Sequence, residues 1–509
     1  MNRSVRDYLY LLEQADLLAA PIPATLDLDT PITLVSYDSR NVIPGTLFIC
    51  KGAHFKPEFL AMARNKGAVA YVSLTPYPDV DLPCILVQDM RLTMAPLADL
   101  YYDHPSRKLN VIGITGTKGK STTAYYLKYI LDSYQAQERD QRSGIVSTIW
   151  TDDGVESFES LMTTPEPLDL QRHFANALTA GMEYLTMEVS SQALKYHRSL
   201  CTHFAATCFL NLGHDHISPV EHPNFEDYFQ SKLKIFAQGD VSCVNLDCDY
   251  ASEVLAAAQA AGKPVYTFSQ KEKEADVYAS RVIKDGESIR FTVRTHRYER
   301  EFVLNMPGLF NVENALGAIA ICEGLRIPAQ HIFDGLAQAH VPGRMEVYTS
   351  HDKAITAIVD YAHNQMSFDT LFRSVKAEYP GRRIVCVFGC PGNKALDRRQ
   401  SMGEIAGRNA DFVYITEDHA GEEDTLSICR EIAGHVSGQG GAYTIELNRG
   451  EAIRQAILTC KQPTVLLVAG KGVESNQKRG TEYIPTPSDV EYVKVFLEEY
   501  NATHKVVSH

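Results

Sequence analysis

The stretch GITGTKGKST, residues 113–122, sets a lysine and two hydroxyl side chains directly behind a glycine-rich turn. Such groups can hold a nucleoside triphosphate. Successive backbone N–H groups of a short loop face phosphate oxygens, helped by the positive end of the following helix. The common phosphate loop reads G-x-x-x-x-G-K-[ST], with its first glycine five positions before the second. Counting back from Gly119, that position holds Ile114, and the glycines fall at 113 and 116. The stretch is therefore a damaged nucleotide site, a chance run or another kind of phosphate loop. Its flanks favour the last. NVIGI before it is β-branched and strand-like, and STTAYYLKYILDSY behind it has apolar residues at helical spacing. Strand, turn, helix is the setting a phosphate site needs. Lys120 then offers a point charge to the outer phosphates, and the Ser121 or Thr122 hydroxyl suits Mg²⁺.

The elements that must position this loop form an α/β pattern. Strand-like runs at 46–50, 69–74 and 84–88, separated by helical segments, give a small N-terminal domain. The polar, proline-containing stretch at 102–110 reads as a linker. Beyond it, apolar runs at 144–148, 184–190, 205–212 and 241–246 alternate with helical patterns, which favours a mostly parallel sheet covered on both faces. A Pro-Gly break within 340–347 marks a second boundary. Runs at 357–363, 383–390, 411–418 and 464–470 then predict a Rossmann-like, doubly wound domain with ligand groups at its strand ends. The expected division is 1–107, 108–342 and 343–509, with the phosphate loop in the central domain.

Composition narrows the function classes. At 509 residues the length suits about three domains. A formal net charge of −14 argues against general affinity for nucleic acid, so an anionic substrate would need a local basic site. No run of about 18 apolar residues suggests a membrane span, and the first residues lack a signal-peptide pattern. The eleven cysteines show no C-x-x-C frame, which fits reduced thiols and a cytoplasmic protein.

The one-residue departure in the loop resembles that of the Mur ligase family, which also includes the folylpolyglutamate synthetases. Further motifs resemble the family's in order: LMTTPEPLDL (161–170), TMEVSSQALKYHR (186–198), NLGHDHISPVEH (211–222), FEDYFQSKLKIF (225–236), MPGLFNVENALGAIA (306–320), VPGRMEV (341–347), DYAHN (360–364) and AGKGVE (469–474). The N-terminal SYDSRNVIPGTLFICKGAHF (36–55) resembles the subgroup that adds the third peptide residue in peptidoglycan synthesis. The resemblance implies an ATP- and Mg²⁺-dependent amide ligase acting through an acyl phosphate. Its substrates would be UDP-N-acetylmuramoyl-dipeptide and a free diamino acid, and it would act as a monomer.

The resemblance also implies roles. Lys120, Glu188, His216 and Lys232 match catalytic positions. Ser121, Glu188, His216 and, if carbamylated, Lys232 match metal-holding ones. Gly116, Thr117, Lys118, Gly119, Lys120, Ser121 and Thr122, with Asn311, Asn314, Arg344 and Asp360, match the ATP site. Ser39, Thr163, Thr164, Ser190 and Arg198 match residues that hold the UDP substrate. Lys394, Asp418, His419, Gly470 and Glu474 match the amino-acid site.

The chain departs from the family at the amine. Enzymes that take meso-diaminopimelate usually carry D-N-P-R, whose arginine meets the distal carboxylate; here Asp418-His419-Ala420-Gly421 stands instead. A buried carboxylate without that fork is costly. The acids Asp418, Glu422, Glu423 and Asp424 suit an ammonium, or form a solvated loop. L-Lysine is therefore the expected amine, with meso-diaminopimelate or L-ornithine as alternatives, and a folylpolyglutamate synthetase-like ligase further off. Lys394 stands where many relatives have arginine, and Val473 replaces a frequent histidine.

Overall fold

The computed structural model describes residues 3–52, 55–139, 141–215, 217–218, 221–394 and 396–504. Its frame is three sheets. The first has four parallel strands in chain order, Leu34–Ser36, Thr46–Ile49, Ala68–Ser73 and Cys84–Leu86. Thr46–Ile49 is buried along its whole length, as a parallel strand covered on both faces must be.

The central sheet carries the phosphate loop. Seven strands run parallel in the spatial order Val277–Asp285, Val265–Ser269, Ser242–Asn245, Ala206–Phe209, Asn110–Thr115, Tyr184–Glu188 and Gly144–Val146. The apolar runs in the sequence predict five of these strands, from Ser242–Asn245 to Gly144–Val146, but neither Val265–Ser269 and Val277–Asp285 nor the two wings. Ser288–Arg294 and Glu299–Leu304 extend one end antiparallel, and Trp150–Asp152 and Ser157–Glu159 extend the other. Ser288–Arg294 alternates buried and open positions, so it covers the core with one face only. Helix Lys120–Arg139 leaves the phosphate loop and packs closely on helix Ala329–Gln338. A Cβ on Gly335 would stand 2.4 Å from Ile130 Cα.

In the third sheet, Ile355–Asp360, Thr464–Ala469, Arg383–Phe388, Phe412–Ile415 and Tyr443–Ile445 lie parallel, with Glu346–Thr349 antiparallel at the edge. Alternate residues of Ile355–Asp360 enter different cores. Ile355, Ala357 and Val359 pack with Ile453 and Val493, whereas Ile358 packs with Phe368 and Phe388. That two-faced burial is the doubly wound arrangement the apolar runs imply.

Candidate active site

A cavity of about 890 Å³ lies between the central and C-terminal parts, lined from both. On the central side Gly119 takes φ +81°, and a Cβ there would fall 2.1 Å from Asn314 Oδ1. The loop is tied down from behind. Lys118 N donates to Asn211 Oδ1 at 2.8 Å, and Gly213 N donates to Thr117 Oγ1 at 3.0 Å. Lys120 Nζ donates to the Gly116 and Thr117 carbonyls at 2.9 and 3.3 Å. Lys232 Nζ reaches the same Gly116 carbonyl at 2.9 Å, from a side chain only 2% exposed.

Burial therefore decides the protonation of this cluster. It depresses Lys120, brings Lys118 down to about 8 and sets Lys232 well below the ordinary lysine range, where the nearby charge of Lys120 lowers it further. Several cationic groups crowded around one loop make a site that gains by taking an anion.

Glu188 ends the strand Tyr184–Glu188 and is 1% exposed. Its Oε1 accepts from Thr148 N at 2.7 Å and its Oε2 from Thr148 Oγ1 at 3.2 Å. Thr164 Oγ1 donates to the Glu188 carbonyl at 2.9 Å and accepts from Ser190 N at 3.0 Å, so these residues form one unit. Ser190 caps the short helix Ser191–Lys195, and Thr163 lines the cavity beside it. Arg198 pairs with Glu166 at 3.0 Å, and Glu166 in turn pairs with Lys51 at 2.7 Å. Arg198 also borders a second cavity of about 720 Å³ that Lys51, Arg91 and Tyr196 line. Ser39 is buried and lines neither cavity. His216 lies outside the described residues.

Arg344 Nη2 donates to Ser121 Oγ at 3.2 Å and lies 4.3 Å over the Tyr361 ring. Asn311 is fully buried. Its Nδ2 donates to the Pro307 carbonyl at 2.8 Å, and its Oδ1 accepts from Asn314 Nδ2 at 3.0 Å. Asp360 accepts Met345 N at 2.9 Å and Ala362 N at 2.8 Å, and burial raises its carboxyl. The side chains of Asn311 and Asp360 thus brace the turns around the cavity.

Across the cavity stand Lys394, exposed at the rim, and Glu474. Glu474 accepts from Tyr361 OH at 2.6 Å, and His419 Nε2 and Lys471 Nζ lie 2.9 and 3.0 Å from its Oε2. Led by the His419 hydrogen bond and the Lys471 charge, these contacts outweigh burial and hold its carboxyl down at about 2. Asp418, His419 and Gly470 do not line the cavity themselves. Gly470 lies against Asp418, its would-be Cβ 3.1 Å from Oδ2. Two acids expected near an ammonium are already engaged: Glu423 pairs with Arg399 at 2.6 Å, and Asp424 caps helix Thr425–Gly438.

One residue that motif reading passed over ties the two sides together. Asp215 accepts from Asn364 Nδ2 at 2.6 Å and faces Lys118 Nζ and Arg398 Nη2, each at 3.4 Å. Its signal was its place in NLGHDH, one position before the histidine that matches the family's catalytic set.

Three α/β units, with a lysine-bearing phosphate loop facing a doubly wound domain across a cavity lined by both basic and acidic side chains, describe a nucleotide-using enzyme. Comparison with known proteins gives the family. Residues 114–322 match the Mur ligase middle domain, and residues 343–472 the Mur ligase glutamate ligase domain. The UDP-N-acetylmuramoyl-L-alanyl-D-glutamate–L-lysine ligase of Enterococcus faecalis is 38% identical over 92% of this chain and 92% of its own. The ligase of the same name from Streptococcus thermophilus is 36% identical over 91% and 92%. A solved UDP-N-acetylmuramoyl-L-alanyl-D-glutamate–2,6-diaminopimelate ligase superposes with a TM-score of 0.65 at 23% identity, covering 99% of this chain and all of that one. The chain belongs to the Mur ligase family, and it is an ATP-dependent ligase that joins an acid to an amino acid. Among the described residues no helix is long and apolar enough to cross a membrane.

Proposed function

We propose that this enzyme adds L-lysine to UDP-N-acetylmuramoyl-L-alanyl-D-glutamate in the cytoplasm. The observation that carries the reading is one cavity with Lys120 and Glu188 on one wall, Lys394 and Glu474 on another, and Arg198 at the edge shared with a second cavity. The parts 1–107, 108–342 and 343–509 divide the work as UDP-substrate, ATP and amine domains.

A substrate carboxylate attacks the γ-phosphorus of ATP, giving an acyl phosphate and ADP. The amine then attacks the acyl carbon and expels phosphate, leaving an amide. Gly116 to Thr122 cradle the phosphates, and Lys120 leaves its loop carbonyls to meet the charge that builds on the transferring group. Arg344 supports Ser121 beside it. Arg198, Thr163, Thr164 and Ser190 hold the anionic substrate, and Glu474 holds the amino acid's α-amino group while Lys394 meets its carboxylate.

The donor set fits Mg²⁺. Glu188 is a buried carboxylate and Ser121 a hydroxyl, both oxygen ligands beside the loop. His216 and a carbamylated Lys232 would complete it, and the amine that burial favours at Lys232 is the form that reacts with carbon dioxide. When bound, the ion would neutralise phosphate charge.

Lysine as the amine is supported by Gly421, where no guanidinium can meet a distal carboxylate, and by the names of the two relatives. Phosphate release with ATP, Mg²⁺ and the UDP-dipeptide, offered L-lysine, meso-diaminopimelate or L-ornithine in turn, tests it. Turnover with lysine alone supports the proposal; a preference for diaminopimelate would defeat the lysine assignment.

A further inference from the structure

The cavity that holds the phosphate loop continues past Asn314 to Phe310, Glu313, Asp247 and Cys248. Asn314 touches Gly119, so the first turn of helix Asn311–Gly324 stands directly beside the phosphates' seat. Glu313 is on that turn. Its Oε1 accepts from Asn245 Nδ2, whose amide is locked: Nδ2 also donates to the Leu210 carbonyl at 2.8 Å, and Oδ1 accepts Asp247 N at 2.9 Å. One oxygen of Glu313 is thus fixed in place with a lone pair to spare. Among the described residues Oε2 takes no donor.

We propose that Glu313 reads the base of the nucleotide, its anchored carboxyl group pairing with the amine edge of adenine and selecting ATP over 6-oxopurine nucleotides. The inference rests on the phosphate-loop assignment above. Burial, and then the charge of Asp247, push the Glu313 carboxyl up to about 7, while Asn245 and Lys271 pull it down; Cys248 is a further titratable neighbour, and Asp249 lines the same cavity. Near neutral pH a substantial fraction of this group is a neutral acid, which sets an acceptor beside a donor. Adenine presents the complement, an N6 amine beside a ring-nitrogen acceptor. A 6-oxopurine puts an oxygen acceptor where the amine stood, opposite the acid's carbonyl. A site built for one hydrogen-bond pattern rejects the other because its polar groups are left unpaired.

Calorimetric binding of ADP and IDP to the full-length wild type, Glu313→Ala and Glu313→Gln, with thermal unfolding of each, tests this. The wild type should prefer ADP by about tenfold or more. Glu313→Ala should bring the two diphosphates within about threefold of each other, whereas the glutamine, which also offers an acceptor and a donor, should keep the preference. From pH 7 to 9 ADP affinity of the wild type should fall, by at most about tenfold per pH unit, relative to a flat glutamine variant. Unchanged selectivity in Glu313→Ala, or its loss in Glu313→Gln, would overturn the base-reading role while leaving the ligase reading intact. A wild type that binds neither diphosphate would overturn both.

Discussion

Replacing Asp215 with asparagine removes the charge that holds Lys118 of the phosphate loop and Arg398 of the C-terminal part on one carboxylate. Its side chain is 6% exposed, against 14% for Arg398 and 21% for Lys118, so solvent screens little of the attraction. At 3.4 Å and an effective dielectric of about 20, each pair attracts by roughly 5 kcal/mol before desolvation. Desolvation cancels most of that, and contacting residues in one network usually couple by about 0.5–3 kcal/mol. We expect Asp215→Asn to weaken the contact between the central and C-terminal parts by about 10- to 30-fold, or roughly 1.4–2 kcal/mol. The loss should appear mainly in KM for the amine, because the amine contacts come from the C-terminal side. Arg398→Gln should do much the same. Initial rates across the cycle of single and double variants should give a coupling of about 1–2 kcal/mol in kcat/KM. Small-angle scattering should show Asp215→Asn more extended with nucleotide bound. Additive effects, within about 0.5 kcal/mol, would refute the bridge as a working contact.

Other consequences are as direct. Lys120→Met should cut kcat at least about 100-fold while leaving the melting temperature near that of the wild type, since its charge acts on phosphate; a loss under tenfold would remove it from the transfer step. Gly421 has φ +61°, and a Cβ placed on it would meet no atom closer than 3.8 Å, so Gly421→Arg has room at a backbone cost of about 1 kcal/mol. It should raise relative turnover with meso-diaminopimelate, and unchanged amine ratios would show that this position does not select. Glu474 is held below its unfolded value, so its stabilisation is present above about pH 4.5 and is lost as pH falls toward 2. The stability gap between wild type and Glu474→Gln should narrow by roughly 2–3 kcal/mol across that window, and a constant gap in acid unfolding would count against the network. Gly335→Ala should destabilise by about 1–3 kcal/mol by forcing two helices apart at Ile130, a cost that chemical denaturation would detect.

The parallel strands were legible because burial on both faces writes them as continuous apolar runs, as in TVLLVAG. The antiparallel wings were not. Nor was Val277–Asp285, the parallel strand that one wing extends: it alternates along much of its length, a weak pattern once a register shift interrupts it between Ser280 and Ile283. In the site, the phosphate loop was legible because its glycines are needed for shape: Gly119 has no room for a side chain against Asn314. Thr148, which holds both oxygens of Glu188, carries no motif, and its position follows only from folding the strand just before it, Gly144–Val146, beside Tyr184–Glu188. The acids at 422–424 read as one charge cluster. Glu423 belongs to Arg399 and Asp424 to a helix cap, and such pairings depend on tertiary neighbours that local sequence does not name. Glu313 looks like an ordinary acid in a helical first turn until the fold sets Asn245 and Asp247 around it.

The measurement that bears most directly on the ligase account uses a UDP-dipeptide whose D-glutamyl carboxylates carry ¹⁸O. With ATP, Mg²⁺ and lysine, the released phosphate should contain one ¹⁸O, because the carboxylate oxygen that attacked phosphorus leaves with it. Unlabelled phosphate accompanying amide formation would contradict an acyl phosphate, and with it the roles given to Lys120 and the loop at 116–122.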